Sequence, residues 1–201
     1  MPRITSEQAG SKNMLAFLDM IAFAEIGERM LADPRTDDGY KVIVGSMPNS
    51  LKLIESYRDH PRQTIQVNAT LRSTAAGRYQ ILSRFWDHYK SQLKLPDFGP
   101  ESQDRYAIQQ IREQRALDDV HAGRFDQAVA KVANIWASMP GAGYGQHEHK
   151  LAALRDVYRK AGGQFEGESR TPAVPDEPTQ LDRIESMLAQ LLAIHQRDGD
   201  A

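Results

Sequence analysis

The chain contains no cysteine among its 201 residues. That excludes a disulfide framework, a zinc–thiolate site and a thiol nucleophile. Charge of one sign is also scarce: 25 Lys+Arg stand against 27 Asp+Glu. The balance is uneven, however, with 22 basic against 19 acidic residues over 1–165 and 3 against 8 over 166–201. A mildly basic body suits an anionic polymer better than a neutral small molecule. The excess is too small for nucleic acid, which demands a stronger basic stripe, and no nucleic-acid partner is expected. No apolar run is long enough to span a bilayer, because Asp19 interrupts the one over 14–25. The polar start, MPRITSEQAGSKN, has no signal-peptide core. If the substrate lies outside the cytoplasm, something else must release the protein.

What is present is a hydrophobic share of 40% and a charged share of 26%, ordinary for a soluble globular chain. The run MLAFLDMIAFAE predicts a helix over 14–26, stopped by Gly27. A charged loop should cover 27–39. Short strands are expected at 40–45, 63–67 and 78–82, with loop over 68–77. Helical periodicity then predicts helices at 83–93, with Ser83 as cap, and at 101–113, 125–139 and 147–163. Such segregated elements imply an α+β fold, mainly helical with a small antiparallel sheet. The composition changes after 165. Residues 166–180, with three prolines in GESRTPAVPDEPTQ, read as a linker. Residues 181–201 hold a short helix whose Leu181, Ile184, Leu188 and Leu191 share a stripe, suited to a monomer or a weak oligomer.

Glu25 is the leading catalytic candidate. It shares a helical face with Met14, Leu18 and Ile21, where the pattern calls for a core residue. Burial and the negative end of the helix dipole both disfavour its charged form, so its pKa should rise. A carboxylic acid kept protonated near neutral pH is what glycosidic-bond cleavage asks of its general acid. Hydrolytic glycosidases pair two carboxyls, and Asp37 or Asp38 could be the second. Both are equally good turn residues.

STAAGRYQIL, 73–82, offers small residues, amide and guanidinium donors and a flat ring, a combination that binds sugars. Ser73, Thr74, Arg78, Tyr79 and Gln80 are therefore candidate substrate-binding residues. The plainer alternative puts Tyr79 in the core. PGAGYGQHEH, 140–149, predicts a glycine-rich lip carrying Tyr144 and Gln146. It lacks the lysine and hydroxyl of a phosphate loop. His147 and His149 would point apart on a helix, with no third ligand, so no metal is expected, and no cofactor. In DHPR, Asp59 and His60 have no serine partner for a triad, and a turn-capping Asp59 is the better reading.

The order FLDMIAFAE, GYKVIVG, DHPR, STAAGRYQIL, WDHYKSQL and NIWASMPGAGYGQ resembles the lambda-phage endolysins, a branch of the lysozyme superfamily. The similarity runs over about 14–163. It implies a lysozyme-like catalytic domain over 1–165 with a saccharide groove framed by two lips, near 63–72 and 140–146. It further implies lytic transglycosylation of peptidoglycan between MurNAc and GlcNAc. By position the catalytic glutamate falls on Glu25, acting as a solitary acid and then as base. The alternatives are a hydrolytic muramidase and a non-catalytic wall-binding or virion module. Also implied is residence in the host cytoplasm until a holin opens the inner membrane, then the periplasm. Where such sequences carry Ser-Glu-Gly, this chain has Ala24-Glu25-Ile26.

Overall fold

The structure is a computed structural model that describes residues 1–143 and 148–168. Its body, Met1–Glu166, is organised around one buried helix. After a single turn, α1 (Ser6–Ala9), comes α2 (Lys12–Ile26). The Ser11 hydroxyl caps α2 by accepting from the Met14 N–H. Met14, Ala16, Phe17, Leu18, Met20, Ile21 and Ala22 are all buried, so apolar residues surround the helix. Such a helix must be central. Gly27 ends it at φ 77°, a conformation that costs glycine little.

The remaining elements wrap this axis. They are α3 (Glu28–Ala32), β1 (Ile65–Gln66), β2 (Arg72–Ser73), α4 (Ser83–Gln92), α5 (Pro100–Glu113), α6 (Leu117–Ala122), α7 (Phe125–Val132) and α8 (Leu151–Lys160). Helices α6 and α8 pack on α2. Phe17, Phe125, Tyr158 and Phe165 form one aromatic cluster there, with ring centroids 4.8–6.5 Å apart. A second cluster joins Trp86, Phe98, His60 and Tyr106 between α4 and α5.

The α+β architecture agrees with the sequence, while several boundaries do not. The strand expected at 40–45 reduces to single bridges, Val42 to Leu53 and Ile43 to Ala76. That at 63–67 shortens to β1, which pairs antiparallel with β2, Ile65 opposite Ser73 and Gln66 opposite Arg72. The loop expected over 68–77 thus contains a strand. The third strand, 78–82, is instead a tight turn: Gly77 at φ 78° and Gln80 at φ 47° coil the chain so that Ile81 bridges back to Ala76. The expected loop 27–39 holds α3 and a 3-10 turn, Pro34–Thr36. Helix α7 stops at Val132 rather than 139, and α6 had no sequence counterpart. Ser83 does not cap α4; Leu82 holds that position, and the Ser83 hydroxyl donates to Thr74 Oγ1 at 3.0 Å. Of the linker expected at 166–180, residues beyond 168 lie outside the described residues, as does the terminal helix expected over 181–196.

Candidate active site

A groove of about 820 Å³ runs along the body, and Glu25 lies in its wall. The last turn of α2 delivers this carboxyl, and Gly27 bends the chain away directly after it. Burial pushes its pKa up to about 7, and hydrogen bonds from Ser138 pull it back only in part. The Ser138 hydroxyl donates to Glu25 Oε1 at 2.6 Å. That bond holds the carboxyl in one orientation. His149 supports the same helix end, its Nε2 lying 3.2 Å from the Ala24 carbonyl oxygen.

The opposite parts of the groove come from three elements. Thr64, Leu71, Arg72, Ser73 and Thr74 line it from the β1–β2 hairpin. Ser83, Arg84, Phe85 and Tyr89 do so from α4, and Tyr106, Gln110 and Glu113 from α5. The chain beyond α7 adds Asn134, Ile135, Trp136 and Ala137. The Trp136 indole N–H donates to the Tyr79 carbonyl at 3.2 Å, tying this segment to the 77–80 turn. A wall mixing amides, hydroxyls and aromatic rings matches the chemistry of a sugar chain.

Of the residues proposed from sequence, Glu25, Ser73, Thr74, Tyr79 and Gln80 all line this groove. Their roles differ from the expectation in three cases. Tyr79 is 1% exposed and its hydroxyl donates to Asp104 Oδ1 at 2.6 Å, so its ring is not a stacking platform. Gln80 spends its amide on its own turn, donating to the Gly77 carbonyl at 2.9 Å. Arg78 does not line the groove at all. Its side chain is buried, ion-paired with Asp19, donating to the Asp38 carbonyl and lying 5.3 Å from the Tyr40 ring centre. A cation with an in-house carboxylate and a ring beneath the wall is a clamp, not a ligand for substrate.

The carboxylates first considered as partners for Glu25 are engaged elsewhere. Asp37 accepts from Tyr57 and Arg3, and Asp38 from Arg3. Neither lines the groove. Its only other carboxylate among the described residues, Glu113, accepts from the Tyr89 hydroxyl at 2.5 Å and from Gln109 at 2.8 Å. Tyr144 and Gln146 lie outside the described residues, as does His147. Beside them, Glu148 accepts from the N–H groups of Gly141 and Gly143, each at 2.8 Å. Asp59 accepts from the side chains of Trp86, Arg62 and Lys90, tying its turn to α4, while buried His60 bridges Ile81 and Arg62. No group of three metal-ligating side chains occurs among the described residues.

Fold and groove together define a lysozyme-like protein. The solved lysozyme of bacteriophage lambda, complexed with a chitohexasaccharide, superimposes with a TM-score of 0.71 at 44% identity, covering 83% of this chain and 100% of that one. A second lambda lysozyme structure gives 0.68 at 43% identity, with the same coverage. The chain belongs to the Endolysin family, whose model matches residues 15–165. The endolysin of Escherichia phage P2 is 49% identical over 169 residues, 81% of this chain and 98% of that protein. The endolysin of Escherichia phage lambda is 49% identical over 148 residues, 74% of this chain and 90% of its own length.

Proposed function

We propose that this chain cleaves the MurNAc–GlcNAc bond of peptidoglycan by lytic transglycosylation, with Glu25 alone as acid and then base. The observation that carries the reading is a groove-lining carboxyl whose pKa burial has raised to about 7. At neutral pH a substantial share of such groups still holds a proton to give. Glu25 donates it to the glycosidic oxygen as the bond to C1 breaks. The carboxylate then takes the proton of the MurNAc C6 hydroxyl while that oxygen closes on C1. The product is a 1,6-anhydro ring, and Glu25 is protonated again. No water has to be activated, which agrees with a groove whose second carboxylate, Glu113, is already bonded to Tyr89 and Gln109. That a related lysozyme takes a chitohexasaccharide supports a polysaccharide as the occupant.

Mass spectrometry of digested sacculi tests the chemistry. Fragments ending in anhydro-muramic acid, one water lighter than reducing ends, are expected. Reducing ends would reassign the enzyme as a hydrolase. On the same reading the protein lyses its host from within, once a holin lets it reach the wall. Expression in cells with and without a holin checks that step, lysis being expected only with it.

A further inference from the structure

Several arginines on this body neutralise its own acids. Arg3 pairs with Asp37 and Asp38, Arg62 with Asp59 and Asp87, Arg124 with Asp119, and Arg155 with Asp126. The groove holds two that do not. Arg72 in β2 and Arg84 in the first turn of α4 are both exposed, both line the groove, and neither has a carboxylate partner among the described residues. Their segments are joined. The Ser83 N–H donates to Thr74 Oγ1 at 3.1 Å, so the strand carrying Arg72 is tied to the helix start carrying Arg84. The Arg84 guanidinium lies 4.6 Å from the centre of the Phe85 ring, itself 42% exposed. An aromatic face steadies a guanidinium without consuming its donors or its charge.

A neutral sugar chain would cover these two cations and leave them unpaired, at a desolvation cost. An anionic chain would pair with them. The glycan of peptidoglycan is anionic in a patterned way: each MurNAc bears, through its lactyl group, a peptide stem with free carboxylates. We infer that Arg72 and Arg84 receive stem-peptide carboxylates, so that this groove selects stem-bearing strands over stripped ones. The inference rests on the peptidoglycan reading above.

Cleavage of soluble stem-bearing strands against strands stripped by an amidase, which keep one lactyl carboxylate per MurNAc in place of the several carboxylates of a stem, tests it. The wild-type protein should favour stem-bearing strands. Arg72→Gln and Arg84→Gln should each cut that preference about tenfold, through KM rather than kcat, the scale of one charge-assisted hydrogen bond. Arg84→Lys should retain part of it. Raised salt should erode the wild-type preference, because exposed ion pairs are screened. An equal loss on both substrates, no change, or a loss confined to stripped strands would overturn the inference. Should a variant fail to fold, the wild-type salt dependence on the two substrates decides alone. A wild-type protein inactive on both strands would instead refute the peptidoglycan reading. Wild-type activity without preference would refute only the role of the two arginines.

Discussion

Between about pH 4.5 and 7 the folded chain holds a proton on Glu25 that the unfolded chain has released. The sign of the linkage follows. Stability from this group is complete below the unfolded pKa and falls as pH rises through the folded one, by at most about 3 kcal/mol. Glu25→Gln removes the penalty while keeping the shape and an acceptor for Ser138. In urea titrations the variant should exceed the wild type by about 2 kcal/mol at pH 8 and match it near pH 4. Its wall-lysing activity should drop at least about 100-fold, the usual scale for losing a general acid. Unchanged activity would remove Glu25 from the mechanism. At this scale the sequence is legible where one residue breaks a pattern, as a carboxylate does on an apolar face. It misleads where chemistry is read without depth. Arg78 and Tyr79 look like sugar-binding groups, but Asp19 and Asp104 draw them inward. Trp136 was legible as a core residue, though on a helix that stops short of it at Val132, while Ser138 was not singled out, because it acts from a turn beyond the helix end where no periodicity marks its direction.

The turn at 77–80 shows why elements were harder to read than residues. RYQIL alternates like a strand, yet Gly77 sits at φ 78° with its backbone against Gln103. The Gln103 amide accepts from the Arg78 N–H and donates to the carbonyls of Tyr40 and Phe98. A Cβ at Gly77 would lie 2.1 Å from Gln103 Oε1. Gly77→Ala should therefore destabilise the protein by about 2–4 kcal/mol, from backbone strain and a displaced buried amide together. Thermal or urea unfolding measures this, and a loss under about 1 kcal/mol would mean the turn relaxes freely. Helices α4 and α5 were legible because each carries its own 3.6-residue pattern, and α2 because it is a long apolar run closed by Gly27. The bridges at Val42 and Ile43 were not, because one-residue pairings depend on partners far along the chain.

For the whole molecule, the division at Glu166 leaves both aromatic clusters and the entire groove within residues 1–166. A chain ending there should fold, melt within about 3 °C of the full-length protein and keep its lytic rate. Sedimentation of the two forms also tests self-association through 181–196. If both are the same monomer, that role is rejected. The fold class was legible at this scale because segregated helices and short strands permit few architectures. The groove was not, since its lining is drawn from segments spread between residues 25 and 137.

The value of about 7 at Glu25 has a consequence for a population of molecules. Near neutral pH some of them are armed and some are not, and each molecule alternates between the two. The armed share grows as the pH falls below neutral and shrinks as it rises above. The burial of one carboxyl thus acts as a throttle. Acidification near neutrality raises the output of the population toward a ceiling, while the same step toward alkali keeps cutting it.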